Sequence, residues 1–213
     1  MLNITRFVLN PFQENTYLVY DNVSREAIVI DPGMYYEEEN KAVDKFLADN
    51  NLLLTGIVNT HLHLDHCFGA EYLKQKYGVG LAAHKADAPL GDSMPQQCRR
   101  FGIKDRDKGV AIDRLLADGD IIRIGDNELK VIHVPGHSPG GIALYCAAQH
   151  IVLVGDSLFK GSIGRTDLEG GNHATLIKAI TDGLLSLPDD TTVLSGHGEP
   201  TTIGYERSSN PYL

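Results

Sequence analysis

The segment Thr60-His61-Leu62-His63-Leu64-Asp65-His66 constrains this chain more than any other. It continues an apolar run, residues 53–60, that reads as a buried strand. Histidines two apart on extended backbone leave from the same side, so His61 and His63 can reach one ion. On a helix they would diverge by about 200°, which separates this segment from the His-x-x-x-His arrangement of helical zinc proteases. Asp65 and His66 follow as the chain turns and can face a neighbouring ion. Three imidazoles and a carboxylate packed this closely are costly to bury without partners.

Three more polar residues sit at the ends of predicted strands. They are His137 in Pro135-Gly136-His137-Ser138-Pro139-Gly140, Asp156 in Gly155-Asp156-Ser157, and His197 in Ser195-Gly196-His197-Gly198. Each follows a glycine, which lets backbone approach a crowded site. The set of His61, His63, Asp65, His66, His137, Asp156 and His197 suits a centre for two ions with a bridging carboxylate. One or two divalent cations are expected; zinc suits the nitrogen and oxygen donors best, and iron and manganese are compatible.

The rest of the chain alternates strand and helix signals. Strands are expected over residues 2–9, 16–20 and 26–30, a helix over 36–50, the buried strand at 53–60, a helix over 70–77 and a strand over 79–83. Strands resume at 120–124, 128–134, 142–146 and 151–154, followed by a helix over 174–186 and a strand over 192–195. Two runs of strands, each followed by helix, predict an α/β sandwich with two sheets in a single domain, 1–213. Residues 89–118 are the least regular. They mix Pro and Gly with Arg99, Arg100, Lys104, Arg106 and Lys108, and read as a solvated loop-plus-helix insertion or as an anion-binding lid.

Composition narrows the function classes. The 19 Lys and Arg against 28 Asp and Glu give a net charge of −9, no footprint for nucleic acid or an anionic membrane. No apolar run approaches the roughly 18 residues of a membrane span. The three cysteines are far apart with no Cys-x-x-Cys, and the start lacks a signal-peptide pattern, so a reducing cytoplasm is expected.

The His-x-His-x-Asp-His segment, followed by the distant His137, Asp156 and His197, resembles the metallo-β-lactamase superfamily. That resemblance implies an αββα four-layer sandwich, two mixed β-sheets flanked by helices, with the metals at the sheet edges. It implies that His61, His63 and His137 hold one ion, that Asp65, His66 and His197 hold the second, and that Asp156 bridges them. Asn15-Thr16-Tyr17, Gly155-Asp156-Ser157-Leu158-Phe159 and Ser162-Ile163-Gly164-Arg165-Thr166-Asp167 are similar to segments of the glyoxalase II (hydroxyacylglutathione hydrolase) group. Two features depart from it. The chain ends soon after His197, without room for that group's glutathione-binding helical domain, and its aromatic positions hold Thr166-Asp167 and Gly198-Glu199-Pro200. The ending Thr201–Arg207 with Asn210-Pro211 is similar to short bacterial glyoxalase-II-like proteins.

The resemblance implies hydrolysis of a small-molecule thioester such as S-D-lactoylglutathione. A metal-generated hydroxide would attack the carbonyl, with Asp65 and Asp156 as the catalytic carboxylates. A thiolate, from a thiol of pKa near 8.5, leaves without a strong acid, whereas an amine needs a proton donor. Lactones and activated esters suit the same site. A persulfide dioxygenase holding iron through His61, His137 and Asp156 is the alternative, and it shares a Gly-Arg-Thr-Asp segment. Arg165 is the candidate substrate contact and Asp31, after a strand and before Pro-Gly, the candidate anchor of a metal ligand. Tyr145, Cys67, His84, His133, His150 and His173 read as packing or surface residues.

Overall fold

In β2 (Glu14–Asp21) and β3 (Glu26–Ile30) successive side chains face opposite ways and both directions are apolar. Leu18 and Val29 join one buried cluster, while Val19 and Ile28 join another. A strand buried on both faces must lie inside a layered structure. The computed structural model, which describes residues 1–103 and 108–213, shows those layers. Lys104 and Arg106 of the basic stretch lie outside the described residues.

The first sheet runs in the order β1 (Leu2–Leu9), β2, β3, β4 (Leu53–Val58), β5 (Leu81–His84) and β6 (Arg114–Leu116). Its first three strands are antiparallel and the pairings from β3 to β6 are parallel. The second sheet contains β7 (Ile121–Ile124), β8 (Asn127–His133), β9 (Ile142–Cys146) and β10 (Ile151–Gly155), all antiparallel. A hairpin of β11 (Leu158–Phe159) and β12 (Ser162–Ile163) follows. The second sheet continues with β13 (Thr192–Ser195), parallel to β10, and β14 (Thr201–Thr202) at its edge. Both sheets are mixed.

Three apolar layers hold them. Outside the first sheet pack α1 (Glu37–Asp49), α2 (Ala70–Tyr77), α3 (Ala88–Asp92) and α4 (Met94–Arg100), through Val43, Leu47, Leu73, Leu90 and Met94. Between the sheets, Tyr17, Val19, Ile30 and Val58 meet Ile122, Leu129, Val131 and Leu144. Outside the second sheet, Val152, Val154 and Val193 meet Leu176 of α5 (His173–Ala179) and Ile203 of α6 (Ile203–Ser209). This is the expected αββα sandwich.

Local signals explain several boundaries. Glu39 accepts from the backbone N–H groups of Tyr35 and Tyr36 at 2.7 and 3.0 Å, closing the first turn of α1. Gly78, at φ +68°, ends α2 in the left-handed cap. The helix expected over 174–186 is instead α5 followed by a π turn at Ile180–Leu184. Gly183 lies in that turn, where a Cβ would meet Ile132 Cγ2 at 3.4 Å, so the wider turn keeps the backbone close to the second sheet. The elements β6, β11, β12, β14 and α6 are absent from the sequence reading, and the helix expected within residues 89–118 is the pair α3 and α4.

The tertiary contact between α1 and α2 is partly ionic. Asp44 accepts from Lys76 Nζ at 2.5 Å, from Tyr77 Oη at 2.7 Å and from Tyr72. Partial burial pushes its carboxyl up, but these three donors outweigh it and hold it below 3.8. Its contribution is therefore present above about pH 4 and is lost as pH falls through the lowered value. Asp44→Asn should cost about 1 kcal/mol after solvent screening, or about 2–4 °C in Tm at pH 7. The gap from wild type should narrow in melts below about pH 4; a constant gap would contradict this.

Candidate metal centre

Five loops that carry the predicted residues meet at one edge of the sandwich. They follow β3 (Asp31), β4 (His61 to His66), β8 (His137), β10 (Asp156) and β13 (His197). The β4 loop stays extended through His63, then turns into a 3₁₀ segment at Leu64–His66. Asn59 pins that turn, donating from Nδ2 to the carbonyl of His66 at 2.7 Å.

Two trios of donor atoms result. His63 Nδ1 lies 2.9 Å from His137 Nε2, which lies 3.2 Å from His61 Nε2. Nitrogens at tetrahedral zinc stand about 3.3 Å apart, given bonds of 2.0–2.1 Å. In the second trio Asp65 Oδ2 lies 3.2 Å from His197 Nε2 and 3.8 Å from His66 Nε2. Asp156 stands between them: Oδ1 is 3.4 Å from His66 Nε2, and Oδ2 is 3.7 Å from His137 Nε2 and 3.6 Å from His197 Nε2. The structure thus brings all seven sequence-predicted donors together.

The rear nitrogens of four rings are spoken for, which aims their front nitrogens inward. His66 Nδ1 donates to Asp31 Oδ2 at 3.1 Å, His137 Nδ1 to the Arg165 carbonyl at 2.8 Å, and His197 Nδ1 to the Phe12 carbonyl at 3.1 Å. His61 Nδ1 lies 3.1 Å from Thr60 Oγ1, whose hydroxyl donates to Asp31 Oδ2 at 2.6 Å. Asp31 Oδ1 also accepts from the Thr60 N–H at 2.6 Å. Asp31 therefore sits behind the rings as an anchor, although it lies close enough to His61 and His66 to form a third donor group.

Whether these residues fit metal can be judged from atoms left without partners. His66 Nε2 and Asp156 Oδ1 are both buried and accept or donate nothing. Two such groups facing each other are costly in an apolar surround, and a cation satisfies both. The electrostatics agree. Burial, with His66, His63 and His137 adding to it, holds the His61 imidazole well below the usual range. His63 is lowered to about 3, by burial first and His137 next. Both rings are neutral and available to ligate. Burial would lower His66 too, but Asp156, Asp65 and Asp31 outweigh it and hold that ring well above the usual range. Without metal, a proton on His66 is the cation the carboxylates gather around.

Small residues make the approach possible. A Cβ at Gly155 would stand 2.2 Å from Thr60 Oγ1, and one at Gly196 would stand 2.2 Å from Asp156 Oδ1. Glycine is the only residue that lets β10 and β13 end against the histidine loop.

Sequence reasoning missed Asp87 and Glu14. Asp87 is fully buried; its Oδ2 accepts from Leu62 N at 3.1 Å and Ser138 Oγ at 2.9 Å, and its Oδ1 from Gly140 N at 2.5 Å. One carboxylate thereby ties the loop of His61 and His63 to the loop of His137. Glu14 is fully buried, with Oε1 3.9 Å from His66 Nδ1, and burial holds its carboxyl well above the usual range. Its only sequence signal is an acid inside a strand; Asp87 has none, being distant in sequence from both loops.

Other residues take quieter places. Arg165 lines the cavity above the centre, and its guanidinium pairs with Asp167 through two contacts of 2.7 Å. His84 and His133 stack at 4.1 Å, His150 pairs with Asp190 at 2.8 Å, and Cys67 is buried. Tyr145 packs at the outer face of the second sheet.

The fold and this donor set define a metal-binding hydrolase of the αββα type. Residues 9–197 match the metallo-beta-lactamase superfamily, and the chain belongs to that superfamily. It is similar to the hydroxyacylglutathione hydrolase GloC of Haemophilus influenzae, 36% identical over 213 residues, covering 100% of this chain and 98% of that one. Among solved structures it is similar to the BLEG-1 B3 metallo-beta-lactamase, with a TM-score of 0.88, 34% identity, and coverage of 100% and 99%. It is also similar to TTHA1623 in a di-iron-bound form, with a TM-score of 0.85, 34% identity, and coverage of 98% and 100%. Among the described residues no helix is long and apolar enough to cross a membrane.

The hydrogen bonds behind the rings lead to a direct test. Asp31→Ala and Asp87→Asn should each weaken metal retention about 10- to 100-fold in chelator competition. Metal analysis by mass spectrometry reads the outcome, with circular dichroism reporting that the variants fold. Folded variants that retain metal like wild type would remove both residues from the centre.

Proposed function

We propose that this chain is a metal-dependent thioester hydrolase, acting on a hydroxyacyl thioester such as S-D-lactoylglutathione. The observation that carries the reading is the pair of donor trios with Asp156 between them, opening into a cavity of about 400 Å³. The likeness to hydroxyacylglutathione hydrolase GloC supports the substrate class. His61, His63 and His137 would hold one ion, Asp65, His66 and His197 the other, and Asp156 would bridge them. Bound divalent ions supply Lewis acidity and a water ionised near neutral pH.

The protein's own groups do the rest. His61 and His63, held neutral by burial, keep the donor set ready without competing protons. Asp65 lines the cavity and is the acceptor for the proton of the attacking water; His66 and His197 outweigh its burial and keep it ionised. Asp31 orients the His66 ring and Asp87 ties the loops of His61 and His137, so that the reacting carbonyl meets a fixed frame. Arg165 stands at the mouth of the cavity as the proposed contact for the thiol carrier, its pair with Asp167 exposed and easily exchanged. A thiolate departs unprotonated and needs no proton donor, which suits a thioester.

Zinc is the proposed resident ion, and the di-iron relative supports iron as its competitor. An iron dioxygenase needs three donors and leaves Asp65, the fully buried His66 and the half-buried His197 without a purpose, so the hydrolytic reading accounts for more of the structure. Metal-loaded protein should release thiol from S-D-lactoylglutathione, and chelation should abolish release. His61→Ala with His63→Ala should lower the rate at least about a hundredfold while the protein stays folded. Metal analysis of the same preparation identifies the ion. Oxygen uptake with glutathione persulfide, or β-lactam hydrolysis without thiol release from any acyl-glutathione, would replace this reading.

A further inference from the structure

The cavity has one wall that contributes nothing to the donor set. It is formed by α3 and α4, the part of the insertion that carries Leu90, Gln96, Gln97, Arg100 and, just past the helix, Phe101. The wall is fastened to the metal loop. Gln97 Nε2 donates to the carbonyls of Leu90 at 2.8 Å and Leu62 at 3.2 Å, and its Oε1 accepts from the Leu64 N–H at 3.0 Å. Leu62 and Leu64 flank His63, so one side chain sets the distance between α4 and the donor atoms. Phe12 meets Phe101 edge-on at 5.9 Å and closes one end. Among the described residues, α3 and α4 of the insertion form a wall of this cavity.

Two arginines among the described residues line this cavity, and they differ. Asp167 holds Arg165 along one guanidinium edge, through Nε and Nη2. Arg100, at the end of α4 and exposed, makes no ion pair of its own among the described residues, although its charge also helps hold the Asp167 carboxyl low. Leu64, Leu90, Phe101 and Leu168 give the surface between Arg100 and the donor atoms an apolar lining. We propose that Arg100 is the receptor for a carboxylate on the thioester substrate. This rests on the thioesterase reading above. A guanidinium fork matches a carboxylate in both shape and charge.

The test separates this proposal from the reading it rests on. Hydrolysis of S-D-lactoylglutathione, which carries carboxylates, is compared with that of its neutral N-acetylcysteamine counterpart in metal-loaded protein. Arg100→Gln should lower the ratio of kcat/KM for the acidic over the neutral thioester about tenfold, mainly through KM. Arg99→Gln, exposed on the same helix and outside the cavity lining, should leave the ratio unchanged. An unchanged ratio in Arg100→Gln would overturn the proposal while leaving thioester hydrolysis standing. Calorimetry with S-hexylglutathione, a thioether with no bond to cleave, is read independently of turnover. If neither thioester is hydrolysed, a roughly tenfold weaker affinity of Arg100→Gln still supports the carboxylate receptor, and equal affinity overturns it.

Discussion

The carboxylate of Asp31 takes three hydrogen bonds at the end of β3, and each fixes part of the centre. It holds the Thr60 backbone, the Thr60 hydroxyl that backs His61, and the rear nitrogen of His66. Asp31 itself sits at φ +51°, a conformation non-glycine residues adopt only when surroundings impose it. The Asp31 N–H donates to the Val58 carbonyl at 3.0 Å, so the anchor is tied to β4, the strand that delivers the histidines. Strand pairing within the first sheet thus becomes ring orientation in the site.

The second sheet is joined to that frame by polar contacts. Asp87 bonds across to Ser138 and Gly140, and the N–H of Ile142 donates to the Thr60 carbonyl at 2.9 Å. The Gly196 carbonyl accepts from Asn15 N at 2.7 Å, bringing the His197 loop against β2. These bonds satisfy backbone groups that the sheet edges would otherwise leave buried and unpaired. They also explain the glycine content of the loops, since the close approaches at Gly155, Gly196 and Gly140 leave no room for a Cβ.

The charge balance follows from the same geometry. An acidic chain of net charge −9 places two carboxylates of the donor set within reach of His66, with Asp31 behind it. Buried anions in that number require positive charge, which bound divalent ions would supply. The cavity above the site carries Arg100 and Arg165. Long-range repulsion of an anionic ligand by the acidic surface is screened within about 8 Å at physiological salt, so the local charge governs binding.

Long apolar strands and the glycine-bracketed polar residues after them were legible in the sequence, because local patterning decides both. The strand at Glu26–Ile30, the helix at Ala70–Tyr77 and the seven candidate donors follow from a short β-branched apolar run, helical period and ligand chemistry alone. The π turn after α5, the bounds of α3 and α4, and the anchor role of Asp87 were not legible. Each depends on what a distant segment presents to it: Ile132 under Gly183, Leu62 and Leu64 against Gln97, and two loops around one carboxylate. The sequence by itself determined which groups can bind metal and that a sandwich delivers them. Only the tertiary structure decided which nitrogen of each ring faces inward, which arginine is already paired and which wall shapes the cavity. Those choices rest on hydrogen bonds between residues remote in sequence, whose partners are set by packing rather than by local pattern.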